Sequence, residues 1–545
     1  MNTPAPAAAP AIASTMPDIP LTITALLRHG ARIYGDAECV TWTGNGTRRT
    51  TYAEIAQNAE RLAAALAELG IRPGDRVATF MWNNQEHLEA YFAIPCMGAV
   101  LHTLNIRLFP EQLSYIADHA GDKVILVDDS LIPLLARCVD ELHSVEALIV
   151  VGDADASALG DRIPVLRYAD LLAEQEPGYI WPEVDERAAA AMCYTSGTTG
   201  DPKGVVYSHR STFLHALASS SANLVGVTES DRVIVIVPMF HVNGWGLPYV
   251  AFLTGAALHM PGPFLQPGHL TAFMEAEQTT IAAGVPTIWS AILDHGVRHE
   301  IDLSSLRKAF SGGAAVSPTL LEHFELRHGL HIVQGWGMTE TTALGGLALP
   351  PARPADNPRW RHRSGRVAAG VEMRIIDTTG EELPWDGTST GEIEVRGLWI
   401  TGAYHHHSAP DTFHDGWLRT GDIGTIDHHG YFQITDRAKD IIKSGGEWIS
   451  SVELENLLAA HPAVLETAVI GIPDPRWDER PLACVVLREG ETASARQLAA
   501  FLEGKVAKWQ IPEHWTFLSD LPKTAVGKID KKLLRSRFHA EDPPS

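Results

Sequence analysis

The sequence predicts an α/β body followed by a β-rich segment and a compact α+β unit, and three observations carry that prediction. Apolar strands alternate with amphipathic helices through the first two thirds of the chain, the pattern of parallel sheets joined by helical crossovers. From about Val371 the pattern changes to short alternating strands separated by glycine-rich turns. The length, 545 residues, exceeds the roughly 250–300 at which a single core stops growing.

In order, Thr51–Leu69 reads as a capped amphipathic helix, with Tyr52, Ile55, Leu62, Ala65 and Leu66 at helical spacing. IRPGDRVATF gives a turn and a strand. Helical patterns follow at Glu86–Met97 and Pro110–His119, then strands at KVILVDD, ALIVVG and RVIVIVPMF, and a helix at Leu270–Glu277. VEMRIID, GEIEVRG and YFQIT read as the β-rich strands. Beyond Arg437 come a helix at Ser451–His461, the strands TAVIGIP and LACVVLRE, and a helix at Ala493–Ala507. Residues 1–20, rich in proline and without a basic start, read as a disordered leader rather than a signal peptide.

Charge excludes whole classes of partner. The formal net charge is −23, which argues against nucleic acid and against a polybasic membrane anchor. The segment from Arg437 carries 15 basic and 16 acidic side chains, leaving 28 and 50 for the residues before it. The acidic body therefore precedes a nearly neutral tail, in which Lys523, Lys528, Lys531, Lys532, Arg535 and Arg537 form a local basic cluster. Five scattered cysteines without metal spacing suit a reducing cytoplasm. The longest apolar stretches are too short to span a bilayer. The tract His405–His407 resembles a metal tract, but its Ser, Ala and Pro neighbours favour a solvent loop.

The strongest local signal is AMCYTSGTTGDPKGVVYSHR at 191–210. Thr195, Ser196, Gly197, Thr198, Thr199 and Gly200, followed by Lys203, make a hydroxyl- and glycine-rich loop whose amides can converge on an anion; it is not a Walker A loop. GWGMTET (335–341) offers a planar indole in Trp336, a hydroxyl in Thr339 and a hard oxygen ligand for Mg²⁺ in Glu340. Asp422 stands in an RTGD turn. An isolated Asp there is usually a turn former, and Arg437 further on is by itself most simply a surface salt-bridge partner. Lys528 lies in a Gly-Lys turn within the basic cluster.

The loop resembles the phosphate loop of the adenylate-forming enzymes: acyl-CoA synthetases, luciferases and peptide-synthetase adenylation domains. PMFHVNGW (238–245), SGGAAV (311–316), GWGMTET, GWLRTGDIG (416–424), TDRAKDIIKSGGEWIS (435–450) and PKTAVGKIDKKLLR (522–535) repeat that family's motifs in order. The resemblance implies a large N-terminal body (21–436) of two α/β subdomains plus the β-rich subdomain, and a small mobile α+β C-terminal domain (437–545). It implies ATP, Mg²⁺ and coenzyme A as cofactors, with Thr198 and Glu340 on the metal. Gly313, Ala314, Gln334, Gly335, Trp336, Gly337, Met338, Thr339, Asp422 and Arg437 would hold the nucleotide, with Trp336 where relatives carry tyrosine.

By the same resemblance, Lys528 is the catalytic cation, assisted by Thr339 and Glu340, and Lys523, Lys531 and Lys532 face solvent. Lys439 is the hinge between the two half-reactions. Ser444, Gly445, Gly446 and Glu447 would lie beside the pantetheine channel, and Lys439, Lys443 and Trp448 would reach the nucleotide once the tail swings over. His241, Val242 and Trp245 resemble the acid-side gate of the fatty-acyl branch, and no Asp stands where amino-acid-activating domains hold an ammonium.

The implied activity is an ATP-dependent acid–CoA ligase, for a medium- or long-chain fatty acid. A short thioether acid of the methylthiopropionate kind, an aryl acid, or transfer of the acyl group to a carrier protein are the alternatives. A luciferase-like oxygenase and a nucleotide-binding regulator are rivals from other classes. A cytoplasmic homodimer is expected.

Overall fold

The computed structural model describes residues 14–195, 201–354, 358–444, 447–523 and 529–539. Ser196–Gly200, Gly445, Gly446 and Lys528 lie outside the described residues, as does most of the expected leader.

Two large sheets build the body. The seven-stranded sheet runs Val165–Arg167, Ala147–Val151, Asp122–Asp128, Arg76–Phe80, Val100–Thr103, Ala189–Tyr194, Gly204–Ser208. It is parallel until the final hairpin, whose two strands pair antiparallel with Tyr194 opposite Gly204. The eight-stranded sheet runs Gly346–Leu347, Ile332–Trp336, Lys308–Ser311, Ile281–Gly284, Arg232–Val235, Ala257–Met260, Glu38–Trp42, Thr47–Thr51. Its middle is parallel and only its two outermost pairs are antiparallel.

The helices between these sheets follow from local chemistry. Thr51 caps the helix Tyr52–Glu68 and Glu54 closes a capping box on it, satisfying two orphan amides. Its buried face runs Tyr52, Ile55, Ala59, Leu62 and Leu66, and Tyr52 stacks on Phe252 with centroids 3.9 Å apart. Alanines at 56, 59 and 63 let it lie close to the helix Gln85–Cys96. One core cluster embraces these helices and the inner faces of both sheets.

The β-rich subdomain runs Gly365–Arg366, Tyr431–Arg437, Trp417–Ile426, Gly391–Gly397, Val371–Ile376. Cross-strand pairing sets Asp422 opposite Arg437, with a register shift just beyond at Ile423–Gly424.

Among the described residues the tail has a five-stranded sheet. Val464–Asp474 and Asp478–Leu487 form a long antiparallel pair, and His514–Phe517 joins the latter in parallel. Alternate residues of the pair face opposite sides: Val469, Ala483 and Val485 pack on Leu454, Leu458 and Leu498, while Ile470, Leu482 and Cys484 pack on Leu521, Leu534 and Phe538. All five cysteines are free and buried, as expected. Among the described residues no helix is long and apolar enough to cross a membrane.

Element types follow the sequence reading closely, while boundaries move by a few residues. The largest change is in the tail, where the expected helix Ala493–Ala507 is only Ala495–Leu502, followed by a 3-10 turn at Lys508–Gln510.

Four buried histidines make the fold acid-sensitive. Burial lowers His87, His209 and His215 to about 4 and His259 to about 3. Their depressed values mean the stabilisation is complete above the unfolded value near 6.5 and is lost as pH falls through the folded values. Unfolding should therefore take up more protons at pH 5.5 than at pH 7.5. Each fully linked histidine contributes a slope of about 1.4 kcal/mol per pH unit in denaturant titrations. An unfolding free energy that stays flat between pH 7 and 5 would contradict this.

Candidate adenylation site

The expected motif segments follow the carboxyl ends of the parallel strands. SGGAAV follows Lys308–Ser311, GMTET follows Ile332–Trp336, and PMFHVNGW follows Arg232–Val235. Ligands of open α/β sheets bind in the crevice outside such ends.

Thr195 and Lys203, which flank the expected phosphate loop, close the hairpin of the neighbouring sheet. Two bonds join them: Thr195 N–H donates to the Lys203 carbonyl at 2.9 Å, and Lys203 N–H donates to Thr195 Oγ1 at 3.1 Å. The Lys203 ammonium lies 5.0 Å from the centre of the Tyr404 ring. The Tyr404 hydroxyl in turn donates to Glu340 Oε1 at 2.6 Å. Glu340 is buried, and desolvation raises its pKa against the opposing pull of the Tyr404 bond. Thr339 is buried beside it, its carbonyl accepting the Tyr207 hydroxyl at 2.8 Å.

Trp336 forms the next wall. Its indole Nε1–H donates to Asp422 Oδ2 at 2.8 Å, and its ring meets Phe432 edge-on. Arg437 Nε holds Asp422 Oδ1 at 3.0 Å, and the Asp422 charge is the main cause of the raised Arg437 pKa. The expected ribose acceptor is thus already gripped by the expected base-stacking residue and the expected phosphate cation. Trp336 lies so close to Gly345 that a Cβ there would fall 2.2 Å from Cζ3. Gln334 supports the strand end, its Oε1 accepting the Val316 N–H at 3.3 Å. The Met338 N–H donates to Thr341 Oγ1 at 2.9 Å, fixing the turn of the motif. Gly313 is half-buried and Ala314 exposed at the rim.

The stretch expected to face the acid is built on strain. Val242, Asn243, Gly244, Trp245 and Gly246 all have positive φ, 46° to 71°, forming a left-handed turn. Such a run costs roughly 1–2 kcal/mol for each non-glycine residue. Asn243 tolerates it, and its Oδ1 accepts the buried Cys193 thiol at 3.1 Å. The turn sets the Trp245 ring over the SGGAAV loop, 3.1 Å from where a Cβ on Gly312 would sit. His241 begins the turn, its amide bonded to the Pro238 carbonyl at 3.0 Å.

The tail corrects one expectation. Lys523 is exposed, in an ion pair with Glu466, and Lys532 is exposed. Lys531 does not face solvent: its ammonium reaches Glu455 Oε1 and Ser451 Oγ, both at 2.7 Å. Burial would lower its pKa, but Glu455, Asp436 and Asp440 outweigh burial and raise it. Arg535 pairs with Asp440 at 2.5 Å, and Asp436 Oδ2 accepts the Ser451 N–H at 2.6 Å. Two basic residues after the Gly-Lys turn are therefore tied to the segment around Lys439. Burial lowers the pKa of Lys439 itself. Lys443 is exposed and pairs across a short hairpin with Trp448.

Comparison with known proteins supplies the assignment. The model of the AMP-binding enzymes matches residues 27–405, and that of the AMP-binding enzyme C-terminal domain matches 453–528. The chain belongs to the AMP-binding enzyme family. A 3-methylmercaptopropionyl-CoA ligase of Ruegeria lacuscaerulensis is 45% identical over 95% of this chain and 97% of its own. A long-chain-fatty-acid–CoA ligase of Thermus thermophilus is 43% identical over 97% of each. The crystal structure of an anthranilate CoA ligase with anthranoyl-AMP superposes with a TM-score of 0.85 at 28% identity, covering 95% of this chain and 98% of that one.

Within this member of the AMP-binding enzymes, sequence reasoning missed Tyr404, Tyr207, Asn243 and the buried role of Lys531. Asn243 left a trace in the Asn-Gly pair of the HVNGWG stretch, since both types tolerate positive φ. Gly345 yields a test. Gly345→Ala must push the Trp336 ring aside and should raise KM for ATP about tenfold, with KM for the acid changed less than about twofold. Steady-state kinetics in each substrate would check it, and equal changes in both would contradict it.

Proposed function

We propose that this chain is an AMP-forming acid–CoA ligase acting on a linear aliphatic carboxylic acid. The observation that carries the reading is the convergence of Lys203, Glu340 and the Trp336–Asp422–Arg437 group at the carboxyl ends of the parallel strands.

In the first half-reaction a carboxylate oxygen attacks the α-phosphorus of ATP. The bond to the bridging oxygen breaks, and pyrophosphate leaves with its electron pair. Thr195, Ser196, Gly197, Thr198, Thr199, Gly200 and Lys203 hold the departing phosphates. Gly313, Ala314 and residues 334–339 hold the base and α-phosphate, with Trp336 beside the adenine, and Asp422 takes the ribose hydroxyls. Lys528 spans the carboxylate and the α-phosphate, stabilising charge that develops between two anions.

Glu340 fits Mg²⁺ in one respect visible here: it is a buried carboxylate with its backbone carbonyl held by the Thr401 N–H and one oxygen held by Tyr404. Thr198 and Glu340 would hold the ion, which neutralises triphosphate charge when bound.

In the second half-reaction the CoA sulfur attacks the acyl carbonyl of the adenylate. The thioester bond forms, the bond to the AMP oxygen breaks, and the thiol proton is released. The C-terminal domain, beginning at Arg437, turns about Lys439 between these steps, withdrawing Lys528, presenting Gly445 and Gly446 to the CoA path and bringing Lys443 and Trp448 to the nucleotide.

Trp245 over Gly312 bounds the acid site, with Val242 and His241 on the same turn. Two acids suit it: a medium- or long-chain fatty acid, supported by likeness to the Thermus enzyme, and a short thioether acid, supported by likeness to the Ruegeria enzyme. A cytoplasmic homodimer completes the reading, and free buried thiols suit that compartment.

Two measurements test it. Release of AMP with each acid of a panel should depend on CoA, and kcat/KM should discriminate neighbouring chain lengths by about 10–200-fold per methylene. AMP released without CoA but with a carrier protein would favour the carrier-loading alternative. Lys528→Ala should slow acyl-AMP formation at least about 100-fold. It should spare thioester formation from supplied acyl-AMP, and equal loss of both would overturn the role of Lys528.

A further inference from the structure

Tyr404 stands between the two charged groups assigned above to the triphosphate. Its hydroxyl donates to Glu340 Oε1 at 2.6 Å, and its ring faces the Lys203 ammonium at 5.0 Å. The short segment that carries it is fastened to both partners by backbone bonds. The Thr401 N–H donates to the Glu340 carbonyl at 2.8 Å, and the His405 N–H donates to the Gly204 carbonyl, next to Lys203, at 2.8 Å. Behind the ring, Phe413 makes an edge contact at 5.0 Å.

Each contact answers a physical need. A buried carboxylate requires donors to hold it in one orientation. A lysine ammonium on a flexible four-carbon stem requires something other than its own chain to hold it, and an aromatic face attracts a cation without neutralising it. Neutrality matters here. A carboxylate in place of the ring would hold the lysine equally well but would compete with phosphate for it.

We propose that Tyr404 is a positioning residue for the adenylation half-reaction: its hydroxyl orients Glu340 toward the cation that accompanies ATP, and its ring orients Lys203 toward the phosphates. This rests on the assignment of Glu340 and Lys203 under the proposed function. One side chain then sets the spacing of the two groups, although the chain supplies them from different sheets.

The two functions of Tyr404 separate by substitution. ATP binding to the full chain can be measured calorimetrically with Mg²⁺ and with EDTA, for wild type, Tyr404→Phe, Tyr404→Leu and Glu340→Gln. Tyr404→Phe keeps the ring, so affinity in EDTA should stay within about twofold of wild type, while the tightening produced by Mg²⁺ falls about tenfold. Tyr404→Leu should show the same loss and also weaken binding in EDTA about threefold, because Lys203 loses its aromatic face. Thioester formation from supplied acyl-AMP should stay within about twofold in Tyr404→Phe, a readout that general damage to the fold would not spare.

Wild-type Mg²⁺ tightening in Tyr404→Phe, alongside lost tightening in Glu340→Gln, would overturn the role of Tyr404 and leave Glu340 intact. Wild-type tightening in Glu340→Gln would overturn the assignment of Glu340, and the proposal with it. Should Tyr404→Leu not fold, Tyr404→Phe decides alone.

Discussion

Much of this structure is arranged around a single carboxylate, Asp422. One of its oxygens takes the Trp336 indole N–H from the end of a strand in the eight-stranded sheet, and the other takes the Arg437 guanidinium from the paired strand of the β-rich subdomain. Buried and bridged in this way, it fixes the β-rich subdomain against the body and sets the direction in which the chain enters the tail. A buried charge is stable only when paired on all sides. The interaction therefore specifies a geometry more than it adds stability. A ribose entering the site would exchange one set of hydrogen bonds for another around the same oxygens.

The fold was largely legible because its signals are local. Thr51 and Glu54 announce the start of the helix Tyr52–Glu68 within four residues, and the apolar runs at Asp122–Asp128 and Ala147–Val151 announce buried parallel strands. The motifs GWGMTET and RTGD were legible as motifs, and the fold brings Trp336 of the first against Asp422 of the second. What escaped was set by contacts at long range. Tyr404 meets Glu340 across 64 residues, and Lys531 meets Ser451 across 80. A tyrosine before three histidines looks like a surface loop, and a lysine in a basic run looks solvated, until the fold supplies the partner. The left-handed run at Val242–Gly246 escaped for another reason: nothing about Val or Trp as residue types announces a positive φ.

The uneven charge acquires a structural sense. Several cations of this chain are held in place by a neighbour: Lys203 by an aromatic face, Arg437 by Asp422, Lys531 by Glu455. The pairs Lys531–Glu455 and Arg535–Asp440 join the last helix, Lys531–His539, to residues on the same side of Lys439. Rotation about Lys439 would preserve them. The bond from the Ser451 amide to Asp436 crosses that point and would have to break.

The left-handed turn also bears on how this enzyme can diversify. Its strain is concentrated at Val242 and Trp245, residues that in the proposed reading also shape the acid pocket. A substitution that relaxes the backbone there, such as glycine, gains conformational ease and gives up a wall of the pocket. Among variants of this turn, thermal robustness and narrow choice of acid should therefore run in opposite directions. A population drifting toward stability would pass through enzymes that accept more acids than their ancestor did.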